Sequence, residues 1–352
     1  MNLKKNRQKI DQLDARIITL LNRRAKVSLA IGKEKVKHKK GIFAPERERE
    51  IFKRIAALND GPLSPEALEA VYREILSGSR SLEKHLRISY LGPQATFTHL
   101  AAQKKFGSLI EYVSCTNISE VFQRVENDNC DYGVVPIENS IEGAVTHTFD
   151  LLVDSDLKIC SQLLLEISHN LLSRTTLSKI KQVYSNPHVF GQCRSWLNSN
   201  LKHAECIDVA STTRAAQIAA TENNTACIAS SLAAEVYNLR VIAKDIEDVS
   251  HNITRFLVIA KNDVPPTGHD RTSIVFSIKD KVGALHAMLA PFATHKINLT
   301  KIESRPSKKK AWDYYFFVDF EGHREQKNVK KALAQLEDMC KYLKILGSYP
   351  II

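Results

Sequence analysis

Apolar residues recur three and four apart through the first part of the chain. Ile10, Leu13, Ile17, Leu20, Leu21, Val27 and Ile31 follow helical spacing, and residues 5–38 hold no proline and a single glycine, Gly32. The pattern predicts one long amphipathic helix. Two more follow at about 46–58, after Pro45, and at about 65–83, with Asn59, Gly61 and Pro62 between them. A helix of about 34 residues is ~50 Å long. Three such helices cannot cover so long an apolar stripe, so this region is expected to pair with a second copy of itself. From about Leu86 the texture changes. Short apolar runs (RISYLG, YGVVPI, TRFLVIAK) alternate with helical stretches (ATFTHLAAQKKF, TTRAAQIAATEN). This predicts α/β units on largely parallel sheets, in two lobes around a cleft. KNDVPPTGHD at 261–270 reads as a linker. Beyond it, TSIVFSI, GALHAMLAPFATH, INLTKIES, WDYYFFVDF, EQKNVKKALAQLEDMCKYL and KILGSY give a βαββαβ order, with PSKKK as a turn. That order is ferredoxin-like.

The chain has 352 residues, 43% hydrophobic and 25% charged, enough for two or three domains with cores of their own. No apolar run approaches the ~18 residues of a membrane span. The basic N-terminus lacks the apolar stretch of a secretory leader. Seven cysteines without a CxxC pair fit neither a disulfide framework nor a zinc site, and suit a reducing, cytoplasmic compartment.

The net charge of +11 is distributed unevenly, with 20 basic and 11 acidic residues in 1–86 and a near balance beyond. A solvated basic helix face and an anionic partner are both open readings. Helical phase sharpens them. With Ile10 as origin, Arg24 falls at about 320° and Lys35 at about 340°, inside the apolar stripe, while Arg23, Lys26 and Lys33 fall outside it. Cations on a buried face need partners. Either an internal salt bridge to Glu48 or Glu83 supplies them, or a buried anionic ligand does. Nucleic-acid binding is disfavoured, because the informative cations face inward and no aromatic stacking platform accompanies them.

The stretches NRQKIDQLD, LLNRRAKVSLAIGKEK and PEREREI resemble the all-helical chorismate mutase family. The resemblance implies that Arg7, reaching in from a dimer partner, and Arg24 hold the two carboxylates of chorismate. It further implies that Lys35 bonds the ether oxygen, that Arg47 and Glu48 contact the ring side and its hydroxyl, and that Ser79 and Glu83 complete the pocket. The rearrangement to prephenate is pericyclic and needs no nucleophile, only a held conformer and donors aimed at the ether oxygen as charge builds there. Two positions depart from the family: Ala44 where many members have a carboxylate, and Glu83 where many have glutamine. A carboxyl group donates a hydrogen bond only when protonated, so mutase turnover is expected to fall with rising pH.

Five segments of the middle region are rich in small hydroxyl and amide residues: GPQATFTH, VPIENSIEG, SNPHVFGQC, ASTTRAA and NITRF. Each alone reads as helix N-caps, but five across both halves suggest sites for carboxylates. GxGxxG, P-loop, GxSxG and metal-spaced histidine patterns are absent, so neither a cofactor nor a metal is expected. These segments are similar to prephenate dehydratase, most specifically in VPIENS and in TRF with its preceding Asn. A mutase followed directly by a dehydratase is a known bifunctional order. The resemblance implies a two-lobed fold like periplasmic binding proteins and a cleft site of Thr96, Glu138, Asn139, Ser140, Ser185, Gln192, Ser211, Thr254, Arg255 and Phe256. In it, Thr254 serves the leaving hydroxyl, backed by Glu138 as acid, and Arg255 orients a carboxylate. Ala95, where the family often has glycine, and Asn186, where it often has histidine, are departures.

GALH and ESRP resemble the ACT regulatory domain. A phenylalanine site is thereby implied at Gly283, Ala284, Leu285, His286, Asn298, Leu299, Glu303 and Ser304. Taken together, the expectation is a multidomain chain: an all-α mutase domain (1–86), a two-lobed α/β dehydratase domain (87–262) and an α+β ferredoxin-like ACT domain (270–352). It would convert chorismate to prephenate and prephenate to phenylpyruvate in phenylalanine biosynthesis, under inhibition by Phe. It is expected to be a homodimer or homotetramer, with no nucleic acid or membrane as partner. A non-catalytic amino-acid sensor is the rival reading, and it leaves Arg24, Lys35, Arg47 and Glu48 without a role.

Overall fold

The computed structural model describes residues 3–38, 43–278, 281–308 and 313–351. Lys309 and Lys310 of the expected turn, and Trp312 at the start of the strand after it, lie outside these. Two units are distinguished, Met1–Arg87 with Lys105–Glu111, and Ile88–Lys104 with Tyr112–Ile352.

The first unit contains helices α1 (Leu3–Lys37), α2 (Pro45–Leu58) and α3 (Pro65–Glu83). Proline opens both shorter helices, where its missing N–H costs nothing. Ser64 caps α3, accepting from Ala67 N at 3.2 Å. α1 meets α3 through polar and small residues set into the C-terminal half of its apolar stripe. Arg24, Ser28 and Lys35 bond to α3, and Gly32 is buried against Glu83. Ile10, Leu13, Ile17, Leu20, Val27 and Ile31 remain 50–61% exposed. Lys105–Glu111 joins this unit through Phe106, whose ring lies 4.8 Å from that of Phe43.

The second unit begins with a lobe built from β1 (Arg87–Leu91), α4 (Phe97–Phe106), β2 (Glu111–Cys115), α5 (Ile118–Glu126), β3 (Tyr132–Asn139), β4 (Gly143–Ala144), α6 (Thr146–Asp154) and β5 (Lys158–Glu166). The chain then crosses to a second lobe of β6 (Asn170–Ser173), β7 (Gln182–Ser185), α7 (Pro187–Gln192), α8 (Arg194–Asn200), β8 (Glu205–Asp208), α9 (Thr212–Thr221), β9 (Thr225–Ala229), α10 (Ser231–Val236) and β10 (Arg240–Ala243). It returns through β11 (Ile253–Ala260), which inserts between β3 and β5. The sheets are mixed rather than largely parallel. β1 and β3 are parallel, as are β7 with β8 and with β9, but β11 runs against both its neighbours and β6 against both of its own. A chain that leaves a sheet for a second lobe and comes back enters from the opposite end, which reverses the returning strand.

The last part contains β12 (Asp270–Ser277), α11 (Ala284–Thr294), β13 (Leu299–Pro306), β14 (Tyr314–Glu321), α12 (Lys327–Met339) and β15 (Tyr342–Pro350). Its sheet order, β13-β14-β12-β15, is ferredoxin-like. One face packs Ile274, Phe276, Val318 and Phe320 against α11 and α12. The other sends Val275, Phe317, Leu346 and Tyr349 into the core of the first lobe, beside Phe149, Ile159 and Leu257. The connection at 261–270 is therefore not a loose linker. Asp270, 1% exposed, accepts from Thr267 N and Gly268 N, and His323 bonds Val264 O at 3.0 Å.

Candidate functional site

In the helical unit, Arg24 Nη1 donates to Ser79 Oγ at 2.5 Å. Ser28 Oγ donates to Glu83 Oε1 at 2.9 Å, and Lys35 Nζ lies 3.7 Å from Glu83 Oε2. Arg24, Ser28 and Lys35 stand four and seven residues apart, so they share one face of α1, and Ser79 and Glu83 share the facing side of α3. Two cations, two hydroxyls and a carboxylate thus converge on one seam. The Lys35–Glu83 pair is the internal salt bridge that helical phase left open as an alternative. Ser28 was missed by sequence reasoning, although its place one turn beyond Arg24 marks it.

Three expected members stand apart from this seam within the chain. Arg7 is exposed. Arg47 faces outward and pairs with Glu50 at 2.6 Å. Glu48 is 6% exposed, and its carboxylate pairs with Arg80 at 2.6 Å and Lys105 at 3.1 Å, not with an open site. Burial opposes its charge, but Lys105 and Arg80 outweigh that and hold the carboxyl below its ordinary value. Such a buried carboxylate takes countercharges from its own protein.

In the second unit the motif residues of β3 and β11 are cross-strand partners, Asn139 opposite Thr254 and Glu138 opposite Arg255. Successive side chains on a strand point to opposite faces, which divides each motif in two. On one face, Asn139 Nδ2 donates to Thr254 Oγ1 at 2.8 Å and to Asn252 Oδ1 at 2.6 Å. Asn139 Oδ1 in turn accepts from the backbone N–H of Ile141 and of Glu142, both at 2.9 Å. Thr254 Oγ1 is therefore an acceptor already served, and no acceptor for its own hydrogen is found among the described residues. Asn252, two positions before Thr254 and on the same face, belongs to this group and was not among the expected residues.

On the opposite face, Arg255 donates to Gln162 Oε1 at 2.8 Å, Asp319 Oδ2 at 2.6 Å and Tyr349 OH at 2.8 Å. It is 8% exposed and turned to the ferredoxin-like sheet, so it does not orient a carboxylate beside Thr254. Glu138 faces the same way, with Oε1 2.7 Å from Lys301 Nζ. An ion-paired carboxylate accepts; it is not the proton donor that an acid role requires. Phe256, 2% exposed, is a core residue.

The remaining expected residues are divided between the two lobes. Thr96 Oγ1 accepts from His99 N at 3.3 Å and donates to Leu91 O at 3.1 Å. Ser211 caps α9, accepting from Arg214 N at 3.1 Å. Ser185 is fully buried and donates to Ile228 O. Ser140 Oγ donates to His251 O and accepts from Ile253 N. Gln192 accepts from His169 Nε2 at 2.7 Å and donates to Glu142 across the lobes at 3.5 Å. His169, another residue outside the expected set, is buried, and that burial pushes its imidazole below the ordinary value. Ala95 takes φ +68°, a backbone conformation that favours glycine. His99 Nδ1 accepts from its N–H at 3.1 Å, and Ser230 Oγ donates to its C=O at 2.9 Å.

Gly283, at φ +76°, opens α11, and Ala284 behind it is buried. Leu285, His286, Asn298 and Ser304 are exposed, with Leu299 and Glu303 half-buried along the edge strand β13. Among the described residues no cluster of three His, Cys, Asp or Glu could hold a metal ion, and no helix is long and apolar enough to cross a membrane.

Residues 6–84 match the type II chorismate mutase family, 88–264 the prephenate dehydratase family and 272–338 the ACT domain. A bifunctional chorismate mutase/prephenate dehydratase from Aquifex aeolicus is 50% identical over 99% of this chain and 98% of its own length. Among solved structures, a prephenate dehydratase from Arthrobacter aurescens in complex with L-Phe is 34% identical with a TM-score of 0.69, covering 76% of this chain and 90% of that one. The prephenate dehydratase from Staphylococcus aureus is 32% identical at a TM-score of 0.66, over 75% of this chain and 100% of its own. With three family matches in order and a relative of half-identical sequence aligned nearly end to end, the chain belongs to the bifunctional chorismate mutase/prephenate dehydratases.

Proposed function

We propose that Thr254 is the donor on which the dehydratase reaction turns. Prephenate loses its ring carboxylate as CO₂ and its 4-hydroxyl as water. The C–C electron pair enters the ring as the C–O pair leaves with oxygen, and the oxygen must gain a proton or a strong hydrogen bond. The observation carrying the assignment is the Asn139 Nδ2–Thr254 Oγ1 bond at 2.8 Å. An amide that donates to the threonine oxygen leaves the O–H to point at a ligand and orients it. Ser211, whose hydroxyl only accepts within the chain, and Gln192, whose amide has a second N–H, then supply neutral donors for the carboxylates, which suits a reaction in which one carboxylate must leave. Thr254→Ala is expected to lower kcat for prephenate by ~10²-fold or more, with Thr254→Ser recovering much of it. Near-normal kcat in the alanine variant overturns the role.

In the mutase, Arg24 and Lys35 are positioned to take the dianion, with Ser79 and Glu83 facing them and Arg7 arriving from a second copy. The exposed stripe from Ile10 to Ile31 supports a homodimer through α1, which sedimentation velocity of the full chain tests. We further infer that Phe binds at the start of α11 and along β13 and inhibits the dehydratase, as the L-Phe complex of the Arthrobacter relative suggests. Seven free cysteines, five of them buried, support a reducing, cytoplasmic setting. Mutase, dehydratase and ACT domains at 1–86, 87–262 and 270–352 complete this reading.

A further inference from the structure

We propose that Lys301, on β13 of the ACT sheet, is a positioning residue of the dehydratase, the contact through which the ACT domain sets Asn139 and Thr254. The proposal rests on the Thr254 site described above and concerns its regulation.

Lys301 Nζ meets Glu138 Oε1 at 2.7 Å and lies 5.5 Å from the Phe149 ring centroid. Glu138 immediately precedes Asn139 on β3, so a shift of its backbone moves the amide that orients Thr254. Its cross-strand partner Arg255 precedes nothing in the cleft but follows Thr254 directly, and is itself held by Asp319 of β14 at 2.6 Å. The two residues flanking the Asn139–Thr254 pair are thus gripped from behind by two strands of the ACT sheet. The grips differ in strength. Arg255 and Asp319 are both about nine-tenths buried, with Tyr349, Gln162 and Ser273 completing their hydrogen bonds. Glu138 is 38% exposed, a weaker and more adjustable contact.

Two features give this contact room to move. The pairing of β3 with β11 shifts register between Arg255 and Phe256, which frees the end of β3 from strict ladder geometry. A cavity of about 20 Å³ lies between the two sheets, bordered by Ile137, Phe149, Arg255, Lys301, Phe317 and Asp319. It has space for one water and none for a larger ligand. Arg305, two pairs along β13 from Lys301 on the same face, reaches Asp150 at 3.5 Å, so this face of β13 is turned wholly to the dehydratase. The intervening residues Ile302 and Ser304 are exposed. A ligand held along β13 therefore acts on the strand that carries Lys301.

Full-length Lys301→Gln is the deciding variant, with Lys301→Arg as its charge-preserving control and mutase turnover reporting an intact fold. The glutamine variant is expected to lose about tenfold in kcat for prephenate with KM changed less than twofold, and the arginine variant to recover it. A parent-like kcat in Lys301→Gln, or a loss that arginine does not restore, overturns the proposal. Inhibition by added Phe should be blunted at least fivefold in Lys301→Gln while calorimetry still detects Phe binding. Undiminished inhibition, or loss of Phe binding itself, overturns the route through Lys301. Thr254→Ala separates the two readings: normal turnover there discards the site, whereas the Lys301 pair still reports whether the ACT sheet controls turnover.

Discussion

Gly32 offers a sharp test of the mutase seam. A Cβ added there falls 2.7 Å from Glu83 Cγ, 2.9 Å from its Cβ and 3.3 Å from its Cα. Carbon atoms in contact sit about 3.5–4.0 Å apart, so α1 and α3 must separate by about 1 Å. Two effects compete. Alanine is about 1 kcal/mol better than glycine inside a helix, while overpacking a close contact costs about 1–3 kcal/mol. Glu83 Cβ and Cα belong to the helix backbone or sit next to it, so they cannot swing aside, and overpacking wins. The helical unit should lose up to about 2 kcal/mol. Catalysis should suffer more, because the same displacement parts Ser28 and Lys35 from Glu83, and a 1 Å misplacement can cost 10²-fold. In Gly32→Ala the mutase kcat is expected to fall between ten- and a hundredfold, with prephenate turnover unchanged in the same preparation. Chorismate disappearance and phenylpyruvate formation read the two activities separately. A more stable protein with normal mutase turnover would refute the reasoning, since it would mean that the helices do not cross this closely.

One further outcome concerns pH. His99 is 4% exposed and burial pushes its imidazole down to about 4 from 6.5. Because the unfolded chain takes up this proton first as pH falls, the contribution is complete above about 6.5 and disappears progressively toward 4, a loss on the order of 3 kcal/mol. Urea unfolding at pH 7, 5.5 and 4.5 should show it, and His99→Gln should remove that part of the slope; parallel slopes in the two proteins would argue against it.

Much of the architecture was legible because it depends on local signals. Pro45, Pro65 and Ser64 mark helix starts in any context, and the βαββαβ order of the last region follows from strand and helix periods alone. What could not be read was where along the stripe the partner helix would sit. Arg24, Ser28 and Lys35 share the helical sector of Ile10 and Ile17, and α3 meets only that C-terminal stretch, leaving Ile10, Leu13, Ile17 and Leu20 exposed. The length of the stripe showed that three helices could not cover it, but not which part they would leave. Glu48 failed for a related reason: Lys105, one of its two countercharges, lies 57 residues further on, in a helix assigned to a different domain.

The TRF and ENS motifs show the same limit at the scale of single residues. Strand alternation ensures that adjacent residues cannot serve one site, so Thr254 with Asn139 and Arg255 with Glu138 had to part company. Their sequence did not say which pair would face the cleft. That depends on what lies behind the sheet, and here it is the ACT domain, with Asp319 and Lys301 waiting for the charged pair. The chemistry explains the allocation. Arg255 buried without Asp319 would leave an uncompensated charge costing about 3–5 kcal/mol, so the charged members go where fixed countercharges exist. The neutral amide and hydroxyl face away from the ACT sheet, the side on which the proposed site must hold a changing dianion and then release it. On that proposal, a motif shared by two adjacent strands is a record of two neighbours, the substrate on one face and the sensor on the other.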